Sequence, residues 1–585
     1  MPVRRLALPY SALALVLIAA CSRGPAPTAA PAPARADLSA VPKTWPLFAR
    51  VKPVEGTHGM VVSGSPIASD VGRDILERGG NAVDAAVAVG FALAVVHPEA
   101  GNIGGGGFMV IRLANGTATT LDYREVAPGA ATPTMYIGPD GKLTDKSVTG
   151  ALSVGVPGSV AGMAAAEARY GKLSLATVMA PAIKLARDGF VLDAFRSHSI
   201  GYAVDRLRLF AASREKFLVD GHAPPPGTRF VQPELAQTLQ AIADSGPDAF
   251  YRGHIADQIV AEMQRDTGII TKADLAAYKP IWRDPITVTY RGYTVYSMPP
   301  SSSGGITMGE MLNILEGYDP LPTFDTPQQV HLWAEAMRRA FVDRNHYLGD
   351  PAFVTMPVAT LLSKEYAAKR RATILPDRAT PTADVHPGVP EPTHTTHYSI
   401  VDADGNAVSV TTTLNNSYGS AVTVAGAGFL LNDEMDDFTG APGQPNMYGL
   451  VQGEANAIRP GKRMLSAMTP TIVLDPEKRL FMVVGTPGGP TIITTVAQVI
   501  SDVIDQHMTL AQAVGAPRIH EQGLPDKVFY EHGGLSAATV QALQAMGYTM
   551  DERSGYSGDV AAIERTATGW VGVPDPRRGA GAAGY

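Results

Sequence analysis

A single cysteine, Cys21, stands among 585 residues, so no disulfide can form within the chain and its stability must come from core packing. Charge is scarce as well. Asp, Glu, Lys and Arg make up 18% of the residues, below the usual quarter, which fits a compact body with much of its length buried. There is no basic surplus: 48 Lys and Arg against 55 Asp and Glu give a formal net charge of −7, which excludes a basic field and with it nucleic acid as an expected partner. No internal repeat of fixed period is found, so a solenoid is excluded. What is present is an apolar content of 45%, ample for a large core, in a chain long enough for two or more domains.

The N-terminus reads as an address. Arg4 and Arg5 precede an apolar run from Leu6 to Ala20, too short for a committed membrane span and of the kind that directs export. Ile18-Ala19-Ala20-Cys21 resembles a bacterial lipobox, in which the cysteine is lipidated and becomes the mature terminus; ordinary signal cleavage nearby is the alternative. Residues 1–21 are therefore expected to be a signal peptide. The expected product is a periplasmic or outer-membrane-anchored lipoprotein held to the membrane through Cys21. Residues 22–45, rich in Pro and Ala from Ser22 to Ala36, form the expected linker.

From Gly59 onward, strands and helices alternate, which gives an α/β (α+β) fold class. Met60 to Val62 reads as a strand and Ala68 to Glu77 as a helix stopped at Gly79-Gly80. Asn81 caps a second helix, Ala82 to Val96, apolar nearly all round and ended by Pro98. Phe108 to Arg112 and Ala118 to Arg124 form a hairpin turned at Asn115-Gly116. The preceding Gly104 to Gly107 invites comparison with a phosphate cradle, but no Gly-Lys-Ser/Thr follows, and close backbone packing is the better reading. In the second half, Tyr398 to Val401 and Ala407 to Thr413 pair about Asp404-Gly405, and Thr471 to Leu474 and Phe481 to Val484 form two more strands. A helix from Ile492 to Ile504 follows, with Pro490 in its first turn.

Two chemical signals stand out. Thr395 lies at what should be the exposed start of a strand, a rigid mount for a nucleophile. A threonine hydroxyl is a poor nucleophile at neutral pH, but a threonine at a chain terminus carries its own base, because a free α-amine titrates near 7.7–8.0. Cleavage between His394 and Thr395 would therefore switch a catalyst on. Gly488 and Gly489 precede the last helix, where backbone N–H groups and partial positive charge suit an oxyanion.

The ordered blocks GGNAVDAA, GNIGGGGF, YREVAP, TTHYSIVDADGNAVSVTTTLN, LLNDEMDDF, PNMYGLV, GTPGG and the terminal DPR and AGY together resemble the γ-glutamyltransferase (γ-glutamyl transpeptidase) family of N-terminal-nucleophile hydrolases, from Gly59 to Tyr585. The resemblance implies a four-layer αββα sandwich and a precursor that cuts itself at His394-Thr395. The products would be a large subunit, 46–394, and a small catalytic subunit, 395–585, which remain together as a heterodimer. It implies Thr395 as nucleophile, Thr413 as the hydroxyl that contacts it, and Gly488 and Gly489 as the oxyanion hole. Arg124 and Ser466 match the residues at the substrate α-carboxylate, and Asn415, Glu434 and Asp437 those around the α-ammonium. Tyr448 falls in a segment that resembles the family's lid loop. No cofactor and no metal are implied.

Three positions depart from the family pattern. Ser466-Ala467-Met468 replaces a common Ser-Ser-Met, Pro490-Thr491 replaces a frequent Ser-Arg, and His394 precedes the scissile bond. Other readings are a glutaryl or cephalosporin acylase on the same fold, and an unprocessed surface binding protein. A metal protein using His386, His394 and His397 lacks matching acidic ligands. A serine hydrolase lacks a Gly-x-Ser-x-Gly elbow.

Overall fold

The computed structural model describes residues 36–385, 395–440 and 453–585. Two seven-stranded sheets form its centre, every neighbouring pair antiparallel. The first runs Gly581–Gly584, Met60–Ser63, Thr396–Val401, Ala407–Thr413, Gly106–Arg112, Ala118–Asp122 and Ile281–Arg283. The second runs Val54–Gly56, Trp570–Pro574, Ala561–Arg565, Leu480–Gly485, Thr471–Leu474, Tyr293–Ser297 and Ile286–Tyr290.

Alternation along each strand sorts the side chains into three packed layers. Met60, Val62, Val401, Ala407, Ile472, Val483 and Ile563 meet between the sheets. Val61, Ile400, Val408 and Val410 point the other way, onto the helices Pro66–Glu77 and Ala82–Val96. On the outer side of the second sheet, Val473, Met482, Val484 and Ala562 pack against Gly304–Leu315, Pro327–Tyr347 and Pro490–Ile504. The arrangement is the expected four-layer αββα sandwich.

The helix Ala82–Val96 is buried on every side because an apolar sequence leaves it no solvent face. Its start is fixed by a capping box: the Asn81 side chain accepts from Val83 N and Asp84 N, and the Asp84 carboxylate accepts from Asn81 N at 2.7 Å. Asp402 joins this end to the central hairpin, accepting from Ala82 N at 2.9 Å and from Asn406 N at 2.9 Å across the turn. The Gly104 to Gly107 run does pack closely. A Cβ on Gly104 would lie 2.1 Å from the Leu430 carbonyl oxygen, and one on Gly105 2.1 Å from that of Thr413.

The folded body begins earlier than the Pro/Ala composition suggests. Val41, Trp45 and Leu47 are buried, and Trp45 Nε1 donates to Gly515 O at 2.8 Å, so residues from Ala36 onward belong to the body rather than to a linker. Cys21 and the rest of the expected signal peptide and lipobox lie outside the described residues.

Candidate active site

Continuing the register of the central hairpin, in which Thr396 faces Thr412 and His397 faces Thr411, places Thr395 opposite Thr413. The two hydroxyl oxygens are 3.5 Å apart, a long contact. Behind them runs a polar ladder between the sheets: His397 Nδ1 lies 2.9 Å from Thr411 Oγ1 and Nε2 lies 3.1 Å from Ser399 Oγ, which donates to Ala561 O at 2.9 Å. Burial holds His397 down at about 3, so the ring is neutral. Gly485 makes room for it, since a Cβ there would lie 2.3 Å from the imidazole. Thr395 is not at an exposed strand start: only 6% of it is accessible, and Ser466, Ala467, Met468 and Gly489 line the cavity beside it.

Thr413 is held from two sides. Its hydroxyl accepts from Asn415 N at 2.7 Å, an approach that requires Asn415 to adopt φ +76°, a conformation asparagine tolerates better than most residues. Its carbonyl accepts from Asn102 Nδ2 at 2.8 Å, and the Asn102 side-chain oxygen in turn accepts from Gly105 N and Ser159 Oγ. Asn415 Nδ2 donates to Asp433 O at 3.0 Å.

The cavity at Thr395 is lined by Arg124, Thr413, Asn415, Glu434, Asp437, Ser466, Ala467, Met468, Gly489 and Ile492. Arg124 is fully buried and forms short ion pairs with both Glu434 and Asp437, with Glu125 at 3.5 Å. It is therefore not a solvated surface cation. Burial works against its charge, but Glu434, Asp437 and Glu125 outweigh that and hold it protonated. The carboxylates outnumber the cation. Burial raises Glu434 well above the carboxylate range and raises Asp437, with Arg124 pulling both back down, and burial lifts Glu125 to about 7. Arg344 also pulls Asp437 down, so the three carboxyl groups face two guanidinium groups. The space beside Thr395 is about 20 Å³, room for little more than one water.

Ser466 sits on a segment pinned by three serines. Ser303 N donates to Ser466 O at 2.8 Å, Ser303 Oγ donates to the same oxygen at 2.7 Å, and Ser302 Oγ donates to Met468 O at 2.6 Å. Ser301 O accepts from Ser466 N at 3.0 Å. The Ser466 hydroxyl accepts from Met468 N at 3.1 Å, leaving its own proton to donate. Gly488 and Gly489 follow the strand Leu480–Gly485 at φ +139° and +54°, values that favour glycine, and lead directly into the helix Pro490–Ile504. Gly489 lines the cavity. The Gly488 carbonyl accepts from Thr491 Oγ1 at 2.7 Å. Thr491, where the family commonly has arginine, thus braces the glycine turn.

The structure brings together Thr395, Thr413, Arg124, Asn415, Glu434, Asp437, Ser466 and Gly489, drawn from six separate stretches of the chain. His394 and Tyr448 lie outside the described residues, as does His386. Asn102 and the serines 301–303 carry no chemical signal in the sequence, though Asn102 stands beside the Gly104 to Gly107 run. Among the described residues no group of His, Cys, Asp and Glu is arranged to hold a metal ion.

A sandwich of this kind, with a threonine at the start of a central strand and a glycine turn at a helix N-terminus beside it, defines the N-terminal-nucleophile hydrolases as a class. The chain belongs to the gamma-glutamyltranspeptidase family, whose model it matches over residues 68–585. It is 52% identical over 505 residues to a glutathione hydrolase proenzyme of Pseudomonas sp. (strain A14), covering 85% of this chain and 87% of that protein. It is 48% identical over 501 residues to the glutathione hydrolase proenzyme of Escherichia coli (strain K12), covering 85% and 86%. Its fold matches a cephalosporin acylase from Bacillus halodurans with a TM-score of 0.80 at 29% identity, covering 96% of this chain and 99% of that one.

Proposed function

We propose that this protein is a self-processing γ-glutamyltransferase and glutathione hydrolase. It moves the γ-glutamyl group of glutathione or related amides to water or to amino acid and peptide acceptors through an ester on Thr395. The observation that carries the reading is the surplus of buried carboxylates around Arg124 beside that threonine. A γ-glutamyl group brings both charges such a site asks for. Its α-carboxylate takes the Arg124 guanidinium, helped by Ser466, and its α-ammonium takes Glu434 and Asp437, with Asn415 alongside. The incoming ion pair replaces the internal one, so no charge is left unmatched.

Processing begins when the Thr395 hydroxyl attacks the carbonyl of His394; the His394–Thr395 C–N bond breaks to leave an ester with the amine freed, and water hydrolyses the ester, releasing the His394 carboxylate and restoring the hydroxyl. In the mature enzyme the freed α-amine takes the hydroxyl proton as Oγ attacks the γ-carbonyl carbon, and gives it to the departing amine as the C–N bond breaks. Gly488 and Gly489 N–H groups hold the oxyanion, and one lost donor of this kind costs roughly 2.7–4 kcal/mol. Water or an acceptor amine then resolves the ester. The two subunits stay together after cleavage because their strands interleave: Thr396–Val401 pairs with Met60–Ser63, Ala407–Thr413 with Gly106–Arg112, and Gly581–Gly584 with Met60–Ser63. The proenzymes among its relatives support this reading. Export and lipidation at Cys21, placing the enzyme at a bacterial periplasmic or outer-membrane surface, complete the proposal. Loss of membrane association in Cys21→Ser would test it.

Ala467 in the cavity, with the fold match to a cephalosporin acylase, favours glutaryl-group hydrolysis as a second reading. Purified enzyme assayed side by side on γ-glutamyl and glutaryl p-nitroanilide separates the two. Preference for glutaryl would overturn the first.

A further inference from the structure

The glycine turn beside Thr395 has two carbonyls and two amides that are treated differently. Thr486 Oγ1 donates to Pro487 O at 2.8 Å, and Thr491 Oγ1 donates to Gly488 O at 2.7 Å. Among the described residues, neither the Gly488 N–H nor the Gly489 N–H donates to a protein acceptor. Gly488 is buried, and an unbonded amide in a buried residue is rare in folded chains.

These four groups belong to two peptide units. A trans peptide points its oxygen and its hydrogen in opposite directions, so Pro487 O is paired with Gly488 N–H across one plane and Gly488 O with Gly489 N–H across the next. A hydroxyl that holds the carbonyl therefore aims the amide. Rotation of the second plane changes ψ of Gly488 and φ of Gly489, and no Cβ on either residue opposes it. Such a rotation would turn the Gly488 carbonyl towards the cavity that Gly489 lines, presenting a negative end where an oxyanion has to form.

Both hydroxyls are themselves fixed. Thr486 and Thr491 are buried, and Thr491 stands in the first turn of the helix Pro490–Ile504. Thr486 Oγ1 also accepts from Asp559 N at 2.9 Å. Each contact depends on a missing side chain: a Cβ on Gly558 would lie 2.6 Å from Thr486 Oγ1, and one on Gly488 2.5 Å from Thr491 Oγ1.

Resting on the acyl-transfer reading above, we propose that Thr486 and Thr491 are positioning residues that aim the two oxyanion donors. They do so by holding Pro487 O and Gly488 O away from the reacting carbonyl, and neither touches the substrate. Thr491 carries the larger share, because the peptide it holds joins two glycines, whereas the Pro487 ring stiffens the other.

The test uses purified full-length protein as wild type, Thr491→Val, Thr491→Ser and Thr486→Val, with rates referred to the cleaved fraction seen in denaturing electrophoresis. On γ-glutamyl p-nitroanilide, kcat in Thr491→Val should fall roughly 10- to 100-fold, less than the roughly 100- to 1,000-fold of a donor removed outright, with KM within about twofold. Thr486→Val should show a smaller fall with the same split. Thr491→Ser should recover most of the rate, and the pH dependence of kcat should keep its midpoint, since the Thr395 amine is untouched. An unchanged kcat in Thr491→Val, equal losses in Val and Ser, or a rise in KM alone would overturn the proposal. Glutaryl p-nitroanilide is run alongside. If wild type prefers it, the γ-glutamyl reading falls, while the same kcat ratios on that anilide still uphold the threonines. For a protein that cleaves neither anilide, the crystal structure of Thr491→Val decides: the Gly488 carbonyl turned towards the cavity upholds the positioning role, and an unmoved peptide overturns it.

Discussion

Arg124 and Asp437, 313 residues apart in sequence, meet as a short ion pair at the wall of the cavity that contains Thr395. Asp437 also anchors its own loop, its carbonyl accepting from Asn456 Nδ2 at 2.6 Å. The pair stands where the proposed zwitterionic substrate would have to exchange partners with Arg124.

Replacing Arg124 tests that role. Arg124→Lys keeps a charge but cannot serve two carboxylates and a substrate carboxylate with a planar fork. The KM for a γ-glutamyl anilide is expected to rise roughly 10- to 100-fold, by the loss of one or two charge-assisted hydrogen bonds of about 1.5–3 kcal/mol each. Steady-state kinetics on a series of donor concentrations would show it, and a KM unchanged by the substitution would refute the assignment.

Thr413 should act on the nucleophile rather than on binding. Thr413→Val removes the hydroxyl that lies 3.5 Å from Thr395 Oγ1 and accepts from Asn415 N, while keeping the volume. A fall in kcat of about 100-fold, the low end for a positioned proton-transfer partner, is expected with donor KM little changed, and Thr413→Ser should restore most of the rate. Equal losses in Val and Ser would contradict it.

Ala467 offers a gain. Its side chain lines the cavity next to Ser466, so Ala467→Ser adds a hydroxyl at the carboxylate end. A two- to tenfold lower KM for a γ-glutamyl anilide is expected, in line with one added neutral hydrogen bond of about 0.5–1.5 kcal/mol. An unchanged or higher KM would contradict the placement.

Away from the site, Glu167 is buried beside Asp84, and burial, with the Asp84 carboxylate adding to it, lifts it to about 9. The folded form therefore holds a proton that the unfolded chain, with an ordinary glutamate, releases near 4.5. Any stability tied to this group is fully present below about 4.5 and is lost as pH rises towards about 9. Glu167→Gln should match wild type in thermal denaturation at pH 4 and melt higher than it at pH 8. An equal Tm difference at both pH values would contradict the assignment.

Local chemistry was readable from the sequence wherever a few neighbouring residues decide the outcome. Asn81 and Asp84 fix the start of the buried helix, Asp404-Gly405 turns the central hairpin, and Pro490 opens the last helix, all where the spacing placed them. Residues brought together across the fold were harder to read. Nothing near Thr395 indicates that Ser466, Ala467, Met468 and Gly489 line the cavity beside it, and nothing near Trp45 indicates its bond to Gly515, 470 residues on. Asparagine among glycines reads as a turn, whereas the Asn102 side chain here braces the backbone of Thr413. Arg124 was identified by resemblance, but its closure onto Glu434 and Asp437 is a property of the assembled pocket alone.

The central claim is that Thr395 becomes a chain terminus and then the nucleophile. Denaturing electrophoresis with mass spectrometry of the purified protein tests it most directly. The account predicts a small fragment beginning Thr395-Thr396-His397-Tyr398 in wild type and a single inactive chain in Thr395→Ala. A single uncut chain with full activity, or a fragment beginning at another residue, would contradict it.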